Sequence, residues 1–519
     1  MTNYFEKGFR GTVIVSLFTA LAYLAGYFTR IFLARVITPE EYGLFYSVFT
    51  LFLFLCVFVD LGYGAALVKF VSEFLAKKNK YLVNKTISYF VAINIILGLF
   101  ISGLLLALNG SLSQYYFKTS EVIPLIILFA FILILNSLYG IFQTVFQAFQ
   151  DMFRYGLLYF LNKFLFLALC IILFYFGALR GVFLPGVAYL LTIFLLVLLF
   201  AASFHRKIKT FRLNQAKLKN RRFDKRLFLR MTHFALPNLL TVLSSTFIGY
   251  IGALILVSMV PMAMVGVYNA VLPTVLILSQ LGGVIATVFF PMLSELWAKR
   301  EYLRLKQGVS MIYRYCLLLL MPFSIVALFF ANHILKIFFG DSFSNGATAL
   351  QILVPGMIFL TLAQINFSVL NGIGKPKEIT KIVVFAAAFN TVTNIILIPF
   401  MGINGAALTT TLSYLIMLVW SYILVQKNIR LRFEKSWSVI VISSFIFLGV
   451  LYLFMHIFSL GQPAMSLYVK VAISFIFSFI VYAVLAFLLK CITLDELKNI
   501  WKNITHLRRT FLPSVPPKD

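Results

Sequence analysis

The sequence predicts an all-α integral membrane protein with about fourteen transmembrane helices. The first observation behind this prediction is the composition, because 62% of the 519 residues are hydrophobic and only 12% are charged. Soluble domains carry about 25% charged residues, so a soluble protein of this composition would lack a polar surface. The second observation is that long apolar runs recur along the whole chain, and roughly 20 apolar residues in a helix cross the ~30 Å hydrocarbon core of a bilayer.

Short polar gaps separate these apolar runs. The first run directly follows the N-terminal segment without a small-residue cleavage site, so it is interpreted as a membrane helix rather than a removable signal. The predicted spans are 12–33, 43–68, 86–108, 122–148, 155–176, 182–204, 232–257, 263–290, 309–332, 349–370, 378–399, 403–425, 437–459 and 467–489.

The distribution of Lys and Arg tests this map and gives its orientation. When the N-terminus is placed inside, 36 of the 44 basic residues fall in or at the edges of inner gaps, and only Arg35, Lys118, Arg180 and Lys336 fall in outer gaps. Cytoplasmic loops carry an excess of Lys and Arg, so both termini are predicted to be cytoplasmic in a multi-pass protein of the cell membrane. One missed helix would invert every later gap, so the bias also supports the number of spans.

The net charge of +28 excludes some classes of function. Proteins that bind nucleic acid gather basic residues on a soluble face, whereas here the charges lie in gaps between spans, so nucleic acid is not an expected partner. The basic gap 205–230 is interpreted as a cytoplasmic tether that contacts anionic membrane lipids. The sequence contains no HExxH, GxSxG or CxxC motif and no complete phosphate-binding loop, so no enzyme, cofactor or metal site is predicted.

The chain also contains a weak internal repeat. The segment 72–78 (SEFLAKK) resembles 294–300 (SELWAKR) at an offset of 222 residues, and the same offset relates Pro39 to Pro261. Six spans separate the copies, so both have the same orientation in the membrane, as in the parallel repeats of some transporters. The alternative is that basic inner helix ends resemble one another because of topology alone.

The outer entry to the second span carries the signature of a helix start. Thr38 is predicted to be the N-cap, Pro39 the first helical residue and Glu41 the partner of Thr38 in a capping box. Further along the same span, Asp60 lies near the cytoplasmic end and is followed by Gly62 and Gly64. A charge inside a span is costly and usually functional, so Asp60 is either a coupling or gating carboxylate or part of an ion pair between helix ends.

Three basic residues, Arg30, Arg35 and Lys163, lie within or at the outer edge of spans, where they either reach lipid phosphates or line a cavity. Amide side chains within spans either hydrogen-bond neighbouring helices or line a wet cavity. A basic, amide-lined cavity suits an anionic, hydroxyl-rich ligand, since phosphate binds the cations and sugar hydroxyls bind the amides. The candidate amides are Asn136, Gln143, Gln147, Gln364 and Asn366.

Four passages together resemble the polysaccharide exporters of the multidrug/oligosaccharidyl-lipid/polysaccharide (MOP) superfamily, of the O-antigen flippase type. They occur in the family's order and at matching places in the topology, and the likeness extends over the whole chain. The passages are ARVITPEEYGLFY (34–46), DLGYGAAL (60–67), FGDSF (339–343) with Ala347 and Leu350, and LNGIGKPK (370–377).

This resemblance implies two MATE-like lobes of six helices each around a central cavity, with two further helices at the C-terminal end. It implies alternating access driven by an H⁺ or Na⁺ gradient or by the membrane potential. The implied substrate is an isoprenoid-diphosphate-linked oligosaccharide that moves from the cytoplasmic to the outer leaflet, and polysaccharide biosynthesis enzymes are implied partners. The implied division is an N-lobe (1–210), a basic linker (211–231), a C-lobe (232–426), helices 13 and 14 (427–490) and a basic tail (491–519).

The sequence departs from the family pattern in the seventh span. Many members carry an acidic residue ahead of a Val-Gly-x-Tyr element, which is present here at 265–268, but the preceding segment 250–253 (YIGA) has no acid. Coupling through that carboxylate is therefore not expected. Three alternatives stay open: a lipid II-type peptidoglycan-precursor flippase, a cation-coupled drug antiporter, and a polytopic polysaccharide polymerase or ligase. The basic spans argue against the antiporter, and the short outer gaps argue against the polymerase.

Overall fold

The structure is a computed structural model that describes residues 2–177, 179–209, 223–431, 435–461 and 467–489. The regular elements in these ranges are helices, with no β-strand among them, which confirms the predicted all-α membrane fold. The predicted basic linker is described only from residue 223 onward, and the predicted tail 491–519 lies outside the described residues.

Each predicted span lies in a helical part of the chain, and most helices extend a few residues beyond the predicted edges. The helices are α1 (Thr2–Val36), α2 (Pro39–Asp60), α3 (Tyr63–Ala76), α4 (Lys80–Ala107), α5 (Asn109–Ser111), α6 (Val122–Ala148), α7 (Met152–Tyr175), α8 (Phe183–Lys209), α9 (Lys225–Met259), α10 (Met262–Ala298), α11 (Tyr302–Phe329), α12 (Ala331–Phe338), α13 (Ala347–Gly372), α14 (Pro376–Ile429), α15 (Lys435–Gly461) and α16 (Leu467–Leu488).

Twelve helices in the described ranges are long and apolar enough to cross a membrane. The longest of these, α14, has 54 residues and is broken at Gly402, whose φ of 56° and ψ of −131° are not helical. It therefore contains the two predicted spans 378–399 and 403–425. The shorter apolar segment Ile473–Leu488 of α16 accounts for the last predicted span, so the map of fourteen spans agrees with the described helices.

The second span is not the continuous helix that the sequence predicts. Helix α2 ends at Asp60 and α3 begins at Tyr63, because Leu61 (φ 46°) and Gly62 (φ 78°) both adopt the left-handed conformation. Glycine tolerates this conformation because it has no Cβ. The predicted capping box at the other end of α2 is confirmed, since the Thr38 hydroxyl accepts from the Glu41 amide and the Glu41 carboxylate accepts from the Thr38 amide at 2.9 Å.

Four short elements in the outer gaps were not predicted. Each has eight residues or fewer, which is too short for hydrophobic periodicity to distinguish a helix from a loop. They are α5, a π-helix at Leu112–Phe117, α12, and a 3₁₀-helix at Asp341–Gly346.

The helix ends on the predicted inner side support the internal repeat. Lys78 and Arg300, which are 222 residues apart, both adopt the left-handed conformation. In both places the following amide donates to the carbonyl five residues before it, at 2.9 and 3.0 Å, which closes the helix end as in a Schellman motif. Gln150 and Gly374 repeat this closure at the ends of α6 and α13.

The chain groups into two compact units. The first unit comprises Met1–Ile277, Ala331–Leu360 and Pro376–Trp420. Within it α1 packs on α7, α4 on α6, and α6 on α8. The second unit comprises Leu278–Phe330, Thr361–Lys375 and Ser421–Asp519, and within it α15 packs on α16 and α11. The division into lobes at the boundaries given by the sequence stays a prediction.

Candidate substrate-binding site

Arg30 is held in the interior of the first unit by contacts to two other helices. It lies on α1, where its side chain is half-buried. Its Nη1 donates to the backbone carbonyl of Asn269 on α10 at 2.9 Å. The guanidinium carbon lies 4.1 Å from the ring centroid of Tyr46 on α2, a cation–π distance. Only part of the guanidinium is used by these contacts, so its remaining N–H groups are available to a ligand.

Lys163 on α7 lies near Arg30. Its aliphatic stem passes Gly26 of α1, where a Cβ would lie 3.8 Å from Cδ of Lys163. Gly26 lies one helical turn before Arg30 on α1, so the Lys163 stem passes the face of α1 that also carries Arg30. In the described ranges the Lys163 ammonium makes no hydrogen bond or ion pair.

Two cations without a carboxylate partner in the described part of the chain form an unusual arrangement inside a membrane protein. Ionisable groups within spans normally pair with one another or serve a function. Arg presents a planar fork that binds phosphate oxygens in a bidentate manner, and Lys adds a mobile point charge. The pair of Arg30 and Lys163, which we call the cationic pair, is therefore suited to bind an anion with several oxygens.

Arg35 does not join the cationic pair, although the sequence grouped it there. Its guanidinium donates to the carbonyls of Lys336 at 3.0 Å, Phe338 at 3.2 Å and Ile337. These are the last carbonyls of α12, so Arg35 caps that helix. Five residues on a helix are rotated by about 140°, which explains why Arg30 and Arg35 point to different neighbours.

Asp60 shapes the break between α2 and α3. Its two carboxylate oxygens accept hydrogen bonds from the amides of Gly62 at 3.1 Å and Gly64 at 3.0 Å. A Cβ on Gly62 would lie 3.1 Å from the amide nitrogen of Leu239 on α9, and one on Gly64 would lie 2.8 Å from Asp60 Oδ1. At both positions the neighbouring atoms leave no room for a Cβ, so glycine is required. In the described ranges Asp60 has no cationic partner, so the structure does not contain the ion pair that was one interpretation.

The candidate amides on α6 are placed differently. Asn136 lines a polar cavity beside Asp60, and its Nδ2 contacts Cys56 Sγ at 3.4 Å. Gln143 and Gln147 are half-buried farther along α6 and lie outside that cavity. Of these three candidates, only Asn136 lines this cavity.

Gln364 and Asn366 belong to the second unit. Asn366 is fully buried, accepts from the Tyr313 hydroxyl and donates to the Ser421 hydroxyl at 3.0 Å, so it joins helices and is not free to bind a ligand. Gln364 differs, because its buried Oε1 has no hydrogen-bond partner in the described part. Of the two, only Gln364 keeps a free polar atom.

The segment 250–253, which lacks the acid of the family pattern, lies beside an amide network of α14. Asn394 donates to the Asn390 side chain at 2.9 Å and accepts from the Thr409 hydroxyl at 2.7 Å. Asn390 donates to the Ser413 hydroxyl at 3.1 Å. A Cβ on Gly252 of α9 would lie 3.5 Å from Asn394 Oδ1, so a glycine faces this network. These side chains hydrogen-bond one another. This agrees with the interpretation that amides within spans join helices.

The N-terminal ends of α2 and α10 cross at two glycines. A Cβ on either Gly43 or Gly266 would lie 3.2 Å from the Cα of the other glycine. Glycine lets two backbones approach this closely. On the same side Lys118 donates to the Ser258 carbonyl at 2.8 Å and Tyr116 to the Leu254 carbonyl at 2.7 Å. These contacts join α1, α2 and the π-helix to α9, α10 and α12 on the side predicted to be external.

Sequence reasoning missed the contacts that orient Arg30. Tyr46 lies in the quoted family passage and Asn269 follows the Val-Gly-x-Tyr element directly, so both were close to recognised motifs. An aromatic residue in an apolar span gives no signal of its own, and Asn269 acts through its backbone. No pattern of side chains can indicate either contact.

Comparisons with known proteins agree with this structure. Residues 9–297 match the family described as polysaccharide biosynthesis protein. An uncharacterized membrane protein of Methanocaldococcus jannaschii is 29% identical over 455 residues, which cover 85% of this chain and 88% of that protein. A "Probable low-salt glycan biosynthesis flippase" of Haloferax volcanii is 26% identical over 239 residues, 46% of this chain and 49% of that protein.

Among solved structures, "Lipid II flippase MurJ, inward closed conformation" superimposes with a TM-score of 0.72 at 16% identity, and covers 91% of this chain and 98% of that chain. This likeness shows the fold, which is that of the transporters of the MOP superfamily. The family match spans more than half of the sequence, includes the passages 34–46 and 60–67, and confirms the family resemblance. The chain belongs to the polysaccharide biosynthesis protein family of multi-pass membrane proteins.

Proposed function

We propose that this protein is a flippase that moves an isoprenoid-diphosphate-linked oligosaccharide from the cytoplasmic to the outer leaflet of the cell membrane by alternating access. Membership of the polysaccharide biosynthesis family and similarity to a relative named as a glycan biosynthesis flippase support this class of substrate. The observation that carries the proposal is the cationic pair, Arg30 and Lys163, without a carboxylate partner in the described ranges.

The diphosphate of the substrate provides the negative charge that no carboxylate in the described ranges supplies to the cationic pair. Charge-assisted hydrogen bonds from Arg to phosphate are about twice as strong as neutral ones, and they are stronger still where water is excluded. In the unliganded protein the Asn269 carbonyl and the Tyr46 ring fix the direction of Arg30. The isoprenoid tail stays in the lipid while the headgroup crosses.

Release to the outer leaflet requires the outer contacts to separate. The crossing of Gly43 and Gly266 and the bond from Arg30 to Asn269 both join α1 or α2 to α10. We propose that substrate phosphate replaces the Asn269 carbonyl as the acceptor for Arg30, which weakens this junction when the ligand is bound. A ligand shifts a conformational equilibrium only through such differential contacts.

We propose that an H⁺ or Na⁺ gradient or the membrane potential drives the cycle, and that both termini are cytoplasmic. No bond of the substrate is made or broken in this process, so the protein acts as a transporter and not as an enzyme. A peptidoglycan precursor carries the same isoprenoid diphosphate, so the cationic pair does not distinguish it. A drug antiporter for organic cations requires the opposite charge.

The test is a flipping assay with the full chain in proteoliposomes. The vesicles contain a radiolabelled isoprenoid-diphosphate oligosaccharide, and a membrane-impermeant glycosidase measures the fraction exposed on one side. We expect the wild type to expose the internal pool, and Arg30→Gln and Lys163→Gln each to slow this at least about tenfold, the effect of losing one charged hydrogen bond.

The matched control is Arg304→Gln, which removes an arginine that is 74% exposed and paired with Glu301. This variant should flip at the wild-type rate. Lipid II in parallel vesicles separates the two saccharide classes. If the wild type moves neither lipid but exchanges an organic cation for protons, the flippase proposal is wrong and an antiporter is supported.

A further inference from the structure

A polar cavity of about 200 Å³ lies among α2, α4 and α6, away from the cationic pair. Its polar lining consists of Asp60, Asn94, Asn136, Ser137 and Thr144. A cavity of this volume holds several water molecules, or an ion with part of its hydration shell, since one water occupies ≈ 30 Å³ of liquid. Asp60 and Asn136 were separate candidates in the sequence, and the structure brings them into one cavity.

The donors of the lining side chains are already used, whereas their acceptors are free. Asn94 Nδ2 donates to the Phe90 carbonyl at 3.1 Å, Ser137 Oγ to the Leu133 carbonyl at 2.9 Å, and Thr144 Oγ1 to the Gly140 carbonyl at 2.8 Å. Each bond closes on the same helix four residues earlier. The oxygens of these side chains accept no hydrogen bond in the described part of the chain.

Asn94 is the clearest case, because it is only 4% exposed, lines the cavity and has an Oδ1 that accepts no hydrogen bond in the described part of the chain. This oxygen is not sealed off from solvent, so whatever occupies the cavity can satisfy it. Water satisfies an acceptor by donating to it, and a cation satisfies several acceptors at once.

The charge of Asp60 favours a cation. Both carboxylate oxygens accept a backbone N–H, an arrangement that fits the ionised carboxylate, because a protonated oxygen needs an acceptor of its own. Within the described ranges no Lys or Arg pairs with Asp60. One negative charge surrounded by neutral oxygens matches one positive charge.

We infer that this cavity binds a small monovalent metal cation, Na⁺, through Asp60 and the oxygens of Asn94, Asn136, Ser137 and Thr144. Hard cations take oxygen ligands, and sites for divalent cations usually gather more than one carboxylate. The ligand oxygens come from three helices, so the ion stabilises their packing. Because Asp60 also holds Gly62 and Gly64, occupancy of the site acts directly on the break between α2 and α3.

The experiment is equilibrium binding of ²²Na⁺ to the purified full chain in nanodiscs, measured by scintillation proximity. This measurement requires no transport, so it stands independently of the flippase proposal. We expect saturable binding to the wild type, with affinity at least about tenfold weaker in Asp60→Asn, where the charge is lost. Thr144→Val keeps the shape of the side chain and removes one oxygen, and we expect about threefold weaker binding, close to the value of one neutral ligand.

Two controls separate loss of the site from damage to the fold. Thr192→Val removes a buried hydroxyl that makes the same bond to a carbonyl four residues earlier, at 2.7 Å, but lies on α8 outside the cavity. Asp341→Asn removes a carboxylate whose side chain is 88% exposed. Both should bind ²²Na⁺ like the wild type. The inference is overturned if the wild type shows no saturable binding, or if Asp60→Asn and Thr144→Val bind ²²Na⁺ with the same affinity as the wild type. Proton release without Na⁺ binding would assign Asp60 to protons instead.

Discussion

Arg30 on α1 donates a hydrogen bond to the backbone carbonyl of Asn269 on α10 at 2.9 Å, and its guanidinium lies 4.1 Å from the centre of the Tyr46 ring. One side chain thus connects three helices and keeps part of its hydrogen-bonding capacity free. The acceptor is a backbone atom, so substitution of the Asn269 side chain leaves it in place. A change of Arg30 itself is therefore needed to remove this hydrogen bond.

We predict that Arg30→Lys and Arg30→Gln differ in the flipping assay. Lys keeps the charge but lacks the planar fork and stacks less well on Tyr46, so flipping should fall by about three- to tenfold. Gln also loses the charge and should reduce it further, by about tenfold or more. Equal rates for Lys and Gln would show that the fork, and not the charge, is what matters.

We predict that Arg35 matters for stability and not for substrate. Arg35→Ala removes the donor to the last carbonyls of α12, which should lower the unfolding midpoint by about 2–4 °C. The flipping rate of the folded fraction should stay within about twofold of the wild type, since Arg35 is not part of the cationic pair. Thermal unfolding in detergent and the liposome assay measure the two effects separately. A large loss of flipping at unchanged stability would indicate that Arg35 takes part in substrate binding.

We predict that Gly266→Ala opens the outer crossing. The added methyl group collides with the backbone of α2 near Gly43, and overpacking of this kind costs about 1–3 kcal/mol. The population closed at this side should therefore fall by about tenfold or more. A cysteine placed at buried Ser47, in a background without other cysteines, reports this as faster labelling by an impermeant maleimide.

The control for this crossing is Gly103→Ala, because a Cβ on Gly103 meets no atom within 4 Å. Labelling at position 47 should then match the wild type. If Gly266→Ala also leaves labelling unchanged, the crossing of α2 and α10 does not limit access from the outer side.

We predict a loss of stability in acid that depends on Asp151, which lies between α6 and α7. Burial would raise the pKa of Asp151, but the hydrogen bond from Arg154 and the charges of Lys207 and Arg154 outweigh burial and lower that pKa below its usual 3.8. A lowered pKa in the folded state means that ionised Asp151 stabilises the fold above its unfolded pKa. This contribution is lost as the pH falls through the folded pKa.

The measurement is the unfolding midpoint in detergent as a function of pH. For the wild type, the part of the midpoint that depends on Asp151 should be constant from pH 7 to about 5 and fall below about pH 4. Asp151→Asn keeps an N-cap for α7 but removes the titrating group, so its midpoint should be lower at pH 7 and fall less steeply in acid. Identical slopes for the two proteins would contradict this assignment.

The sequence placed the spans well because membrane insertion imposes a strong local rule. Every backbone polar group in hydrocarbon must be paired within the helix, so each span appears as a long apolar run, and the fourteen runs agree with the described helices. The capping box of Thr38 and Glu41 was also predicted from the sequence and is confirmed by the structure. The break at Leu61 and Gly62 was missed because apolar residues continue on both sides of it.

The candidate site was only partly predictable. Arg30, Lys163 and Asp60 stand out as charges in apolar runs, and the structure gives each of them a defined environment. Arg35 looked the same in sequence, yet it caps α12. Asn366 also resembled a cavity residue but pairs with Tyr313 and Ser421. Asn94, which lines the Asp60 cavity, was not singled out among the polar residues of the spans.

The sequence by itself determined the membrane class, the number of spans, their predicted orientation and the family, because each of these depends on composition and order along the chain. The tertiary structure alone decided which polar side chains are satisfied by neighbours and which are free. That distinction depends on distances between helices that are far apart in sequence, such as the 2.9 Å between Arg30 and the Asn269 carbonyl. Free cations near one another and free oxygens around a carboxylate arise only when those helices pack together.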